Sequence, residues 1–309
     1  MKILLPILMA IGFAISPANA EWKPNGPIKF WIGFGAGGGT DTQARTLASE
    51  LEALRGWRII PENKAGGGGT VMAAQLKSAP ADGQTVGLAI NTTFDFATLK
   101  SDKLSIDDFT YITMTAGSQT GVLARADSGW KTLEDLAAAA KGGTKIVWSN
   151  WGDLVQAGSE LVADKLGIKV NHLRMKGGKA TLNALVAKDA NVAWGGGVQR
   201  GLVAAGEVVI LASAEDQPLV QAPKGKTLKQ YGINHYLGFQ FLLAGPKGMS
   251  TEARDAITKA IHEVLSNPES KTRKFISKQY PPAPVLIAGD ALTARLHANY
   301  EANKKLLKK

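Results

Sequence analysis

Apolar residues recur along this chain in two rhythms that take turns. Ile28-Lys-Phe-Trp-Ile32 is a short apolar run of the kind a buried strand makes. Leu47, Leu51 and Leu54 follow at the spacing of one helix face. The exchange repeats downstream. Strands are predicted at 57–60, 85–90, 145–148, 170–173, 191–194, 208–212 and 239–243, with further extended segments at 109–113 and 121–124. Helices are predicted at 70–77, 132–140, 154–166, 180–187 and 198–205, and three more, at 251–265, 268–279 and 288–307, close the chain. Thr132-Leu-Glu-Asp135 has the form of a capping box. Such alternation implies an α/β fold of parallel sheets covered by helices. Two runs of it, parted near 115–125, predict two lobes, and the late strand and terminal helices are expected to return to the first.

Between the first strand and the first helix stands Gly33-Phe-Gly-Ala-Gly-Gly-Gly-Thr-Asp-Thr-Gln-Ala-Arg45. Thr40 or Asp41 is the natural N-cap, because its side-chain oxygen can accept from an unpaired backbone N–H. A backbone without Cβ lets a ligand come close. A helix N-terminus adds free N–H donors and a partial positive charge. Together these make a seat for a carboxylate or phosphate; a tight turn with no ligand is the plain alternative. A P-loop is excluded, since Gly39 is followed by Thr-Asp rather than Lys-Ser/Thr. Gly33-x-Gly35-x-x-Gly38 fits a dinucleotide spacing, but the acidic residue that should follow, Glu62, stands between Pro61 and Asn-Lys-Ala-Gly-Gly-Gly-Gly, which reads as a second glycine loop. Gly142-Gly143, Gly177-Gly178 and Gly195-Gly-Gly197 continue the theme. Ligands of parallel sheets bind beyond the carboxyl ends of strands. Glycine loops from both lobes are therefore expected to face one cleft.

Composition narrows the class. Met1-Lys2, an apolar run over 3–15 and Ala18-Asn-Ala20 read as a secretory leader cleaved after Ala20, with the apolar run short of the ~18–20 residues that span a bilayer. Loss of Lys2 with the leader takes the formal charge from +10 to +9. The basic residues are scattered apart from the Lys-rich tail, and no nucleic-acid motif accompanies them. The chain has no Cys, so neither disulfides nor thiolate chemistry is available. The four His, at 172, 235, 262 and 297, stand at no metal-ligand spacing. There is no G-x-S-x-G elbow, which leaves a hydrolase with a dispersed site as the enzymatic alternative. Nothing asks for a cofactor.

The order of motifs resembles the substrate-binding receptors of tripartite tricarboxylate transporters, the Bug-type or TctC-type periplasmic proteins, over nearly the whole mature chain. The resemblance is carried by 33–45, by Pro61-Glu-Asn-Lys-Ala-Gly-Gly-Gly-Gly69, by Ala81-Asp-Gly-Gln-Thr-Val-Gly-Leu-Ala-Ile-Asn91, by Ser149-Asn-Trp-Gly152 with Glu160-Leu161, and by His172-Leu-Arg-Met-Lys-Gly177. It implies a type II periplasmic-binding-protein fold, with 21–121 plus 238–309 as lobe 1 and 122–237 as lobe 2. It implies a monomeric, non-enzymatic receptor that closes on an organic anion and serves the membrane subunits of a secondary transporter. One carboxylate would sit on Phe34, Ala36, Gly37, Gly38, Gly39, Thr40 and Asp41, on Gly67, Gly68 and Gly69, and near Asn91. The far end would meet Ser149, Asn150, Trp151, Gln156, Lys176 and Gly195. The chain departs from the pattern where the family has loop prolines (here Gly35-Ala36), His (Gln156), Tyr (Met175) and Asp (Gly195). With Trp151 beside them, these changes point to an apolar or aromatic far end. The alternative is that Asn150, Lys176 and a helix N-terminus hold a second carboxylate while Trp151 packs. An enzyme or a signalling sensor on the same scaffold is the rival function.

Overall fold

Strand β1 (Ile28–Ile32) buries Ile28, Phe30 and Ile32 on one face, and helix α1 (Gly39–Arg55) lays Ala44, Leu47, Ala48 and Leu51 over the sheet. Each such large side chain taken fully from water contributes roughly 1.5–3 kcal/mol. The structure, a computed structural model, describes residues 22–281 and 284–307. The predicted leader, its cleavage point and the last two lysines lie outside them.

In chain order there follow β2 (Ile59–Asn63), α2 (Thr70–Lys77), β3 (Thr85–Ile90), α3 (Asn91–Asp95), β4 (Phe109–Ala116) and β5 (Thr120–Arg125). Next come α4 (Leu133–Lys141), β6 (Ile146–Asn150), α5 (Asp153–Leu166), β7 (Val170–Arg174), α6 (Gly178–Val186), β8 (Val192–Gly196), α7 (Arg200–Ala204) and β9 (Val208–Ser213). The chain ends with β10 (Phe241–Pro246), α8 (Thr251–Ser266), α9 (Lys271–Gln279) and α10 (Gly289–Leu307). Two five-stranded sheets result, ordered β2-β1-β3-β10-β4 and β7-β6-β8-β5-β9. Each is mixed: β10 is antiparallel to β3 and β4, and β5 to β8 and β9. This is the two-lobed α/β architecture, and the chain crosses between sheets after β4 and again before β10.

Four local expectations are corrected. Strand β2 continues through Pro61 to Asn63, where a glycine loop is predicted from Pro61 onward. Pro61 lacks an N–H donor, but β2 is an edge strand, where that loss is tolerated. Gly195 and Gly196 are strand residues paired with Gly121 and Thr120, not loop. Helix α7 is only five residues long. Neither Thr40 nor Asp41 caps α1: Gly38 is the N-cap, in an extended conformation and without a side-chain bond. The Thr132 capping box forms, with Thr132 Oγ1 and the Asp135 carboxylate exchanging bonds with each other's backbone N–H. Trp148 and Trp194 are fully buried and stack with ring centres 5.4 Å apart, as core.

Candidate functional site

The start of α1 is held from behind. Asp41 accepts from Gly37 N–H at 2.8 Å, from Arg45 Nε at 2.9 Å and from Asn63 Nδ2 at 2.9 Å. Asn63 Nδ2 also donates to the Phe34 carbonyl at 3.0 Å. Burial pushes the Asp41 carboxyl up, but these donors outweigh it and hold its pKa below the ordinary value. Gly37 makes the turn with φ of 72°, where a side chain is strained. The turn leaves the N–H groups of Gly39, Thr40 and Asp41 with no carbonyl of their own helix to meet; the first helical bond is Thr42 N–H to Gly38 O.

Helix α6 of the other lobe starts in the same way, with Gly177 as N-cap and Thr181 N–H as its first bonded donor. The two starts approach each other. Gly35 N–H donates to Lys176 O at 3.1 Å across the lobes. Between them lies a cavity of about 310 Å³, whose lining includes Phe34, Gly35, Ala36, Gly38, Gly39 and Thr40 from the first loop and Lys176, Gly177, Gly178, Lys179 and Ala180 from the second. Lys176 and Lys179 are exposed residues of its lining and the only charged side chains there; Lys179 Nζ lies against the first loop, 2.7 Å from where a Cβ on Gly37 would fall.

Apart from Asn183 of α6, the remaining wall is apolar and largely aromatic. Tyr280, Phe241, Phe239 and Trp151 form a run of ring contacts, with successive centroids 4.8, 5.2 and 5.9 Å apart, and all four line the cavity. Tyr280 closes α9, which is tied to α1 at its other end. Glu50 on α1 accepts from Ser270 Oγ at 2.8 Å and from the N–H groups of Lys271 at 2.6 Å and Thr272 at 3.1 Å. So α9 is anchored by its N-terminus to α1 and carries Tyr280 back to the start of that helix. A Cβ on Gly39 would fall 1.7 Å from the Tyr280 hydroxyl oxygen, so only glycine fits there. Tyr280 is 2% exposed, and its hydroxyl has no hydrogen-bond partner among the described residues. Burial raises its pKa, so the hydroxyl stays protonated.

Of the residues read from sequence, Phe34, Ala36, Gly38, Gly39, Thr40, Trp151 and Lys176 line this cavity. The others stand elsewhere. Gly37 and Asp41 shape the turn. Gly67, Gly68 and Gly69 form a 3-10 turn in front of α2. A Cβ on Gly68 would come 3.2 Å from Gly152 Cα of the opposite lobe, so the turn packs lobe on lobe. Asn91 spends both ends of its amide inside lobe 1, donating to Asp95 at 2.8 Å and accepting from Gln240 N–H at 2.8 Å. Ser149 donates to Thr181 O at 3.1 Å beneath α6. Asn150 is fully buried with both side-chain polar atoms unpaired among the described residues. Gln156 lies on α5 outside the lining, and Gly195 is filled around by Leu123 and Gln199. Sequence reasoning missed Tyr280, Phe239, Phe241 and Val198, which carry no glycine or motif to announce them. Gly177-Gly178 was visible as a loop only. No cluster of three His, Asp or Glu able to hold a metal occurs among the described residues.

Comparison with known proteins agrees with this fold. The family described as tripartite tricarboxylate transporter family receptor matches residues 43–280. The UPF0065 protein of the gbd 5′ region of Cupriavidus necator is 29% identical over 286 residues, covering 88% of this chain and 85% of its own. The periplasmic binding protein BugD superposes with a TM-score of 0.82 at 22% identity, over 93% of this chain and 98% of its own. MatC from Rhodopseudomonas palustris, solved with bound malate, gives 0.82 at 21% identity, over 92% and 99%. The chain belongs to the Bug/TctC family of tripartite tricarboxylate transporter receptors.

Proposed function

We propose that this chain is a periplasmic solute receptor that takes an organic carboxylate into the cavity between its lobes and presents it to the membrane subunits of a tripartite tricarboxylate-type transporter. The observation that carries the reading is the convergence of two helix starts, one from each lobe, on a single cavity with no acidic lining residue. Free N–H groups and the positive ends of two helices favour an anion there. A ligand touching both lobes binds the closed state better than the open one and so shifts the population toward closure. The lobes are assigned as 21–121 plus 238–309 and 122–237, and the receptor acts as an exported monomer after cleavage at Ala20. Malate bound to MatC supports a carboxylate as the ligand class.

Thermal melting of the exported protein against a panel of carboxylates tests the reading. A ligand that binds only the native state raises the melting temperature by mass action. At least one carboxylate is expected to do so and to be recovered unchanged by mass spectrometry. A panel in which no carboxylate stabilises the protein overturns the proposal, and turnover of the bound acid would favour an enzyme. The same exported sample, sequenced from its N-terminus, is expected to begin at Glu21.

A further inference from the structure

The receptor reading leaves open what lies beyond the carboxylate, and the cavity wall addresses that. We propose that the ligand is an aromatic monocarboxylate, its carboxylate at the start of α1 under the Tyr280 hydroxyl and its ring beside Phe241, Phe239 and Trp151. This rests on the carboxylate-receptor reading and specifies its substrate class.

Two observations meet at the carboxylate end. The N–H groups of Gly39 and Thr40 open into the cavity without helical partners. Beside them the Tyr280 hydroxyl, buried and protonated, has a proton to donate and no partner among the described residues to receive it. A carboxylate oxygen at this point would accept that proton in a charge-assisted bond. Glycine at 39 is what lets that hydroxyl stand over the helix start.

Away from that end the chemistry changes. From Tyr280 the ring contacts step through Phe241 and Phe239 to Trp151. Phe239 is given its room by Gly196, where a Cβ would meet the ring at 2.9 Å. Aromatic faces and edges of this kind favour another ring, in offset or edge-to-face contact. A second carboxylate at that depth would have no cation. Lys179 Nζ stands over Gly37 at the carboxylate end, and Lys176, exposed on the same loop, is suited to drawing an anion in. An unpaired buried charge is far more costly than a buried ring. The absence of Asp or Glu from the lining likewise disfavours a ligand amine.

Calorimetry on refolded, ligand-stripped exported protein decides the matter with five probes: 3-phenylpropionate, its uncharged amide, hexanoate, malate and adipate. The proposal expects 3-phenylpropionate to bind at least tenfold more tightly than hexanoate, malate and adipate, and the amide to lose at least tenfold. Tyr280→Phe, which removes one oxygen from a site with no protein partner, should fold normally and weaken 3-phenylpropionate about tenfold. Tight binding of malate or adipate with none of 3-phenylpropionate overturns the aromatic assignment and leaves the carboxylate receptor standing. Equal binding of hexanoate reduces the wall to a general apolar one and overturns the aromatic part. An undiminished affinity in Tyr280→Phe removes the hydroxyl from the seat. Failure of all four acids takes the receptor reading down as well.

Discussion

At the scale of single residues, the seat depends on what is left out. Gly39 is helical, so alanine there would normally help the helix by up to about 1 kcal/mol. Here its Cβ would land on the Tyr280 hydroxyl. Gly39→Ala is therefore expected to displace that hydroxyl, to lower the melting temperature of the unliganded protein and to weaken the best carboxylate of the panel tenfold or more. Calorimetry on variant and wild type checks this, and an unchanged affinity would remove Tyr280 from the site. The first loop was legible from sequence because glycines between a strand and a helix have a mechanism attached. Tyr280 was not legible: it stands some 240 residues away, and only the folding of α9 back along α1 brings it to Gly39. Asn63 was hidden for the same reason, since its bonds to Asp41 and the Phe34 carbonyl exist only once β2 pairs with β1.

At the scale of elements, alternation of strand and helix was readable throughout, and errors fell where a neighbour decides the local structure. Pro61 reads as a strand breaker until β2 is found at an edge. Gly195-Gly196 reads as a loop until β5 supplies partners. Asn91, read as a ligand contact, instead links elements of lobe 1. It donates to Asp95, which sits wholly buried on α3 and also accepts from Asn303 Nδ2 of α10 at 3.4 Å. Burial pushes the Asp95 carboxyl up to about 6 against the donors around it. The folded protein then holds this proton more tightly than the unfolded chain. The stabilising contribution is complete below about pH 4 and is lost as pH rises through 6. A shift of this size corresponds to roughly 3 kcal/mol. Asp95→Asn cannot ionise, so it should be the more stable protein at pH 8. Its advantage over wild type should shrink as pH falls toward 5. Urea unfolding of both proteins between pH 5 and 8 measures this, and a difference independent of pH would refute it. Using the difference matters, because Asp41 and Glu50, both held low by their donors, respond to acid in the opposite sense.

At the scale of the whole molecule, two backbone contacts join the lobes beside the cavity, in addition to side-chain contacts such as Trp151 with Phe239 and Arg200 with the Lys278 carbonyl. One is the bond from Gly35 N–H to Lys176 O. The other is the contact of the Gly67–Gly69 turn with Gly152, the N-cap of α5. The second explains a glycine run that looked from sequence like part of the anion seat: small residues on both sides let backbone approach backbone as the lobes close. Gly152 has φ of −171°, extended backbone open to any residue, so a larger side chain there need not strain its own lobe. Gly152→Leu would instead push into the turn at Gly68. The expected outcome is an unliganded protein that melts close to wild type but binds the best carboxylate at least tenfold more weakly, about 1.4 kcal/mol of closure energy lost. Solution X-ray scattering should show wild type contracting on ligand addition and the variant failing to contract. If the variant contracts and binds as wild type does, the Gly68–Gly152 contact is incidental to closure.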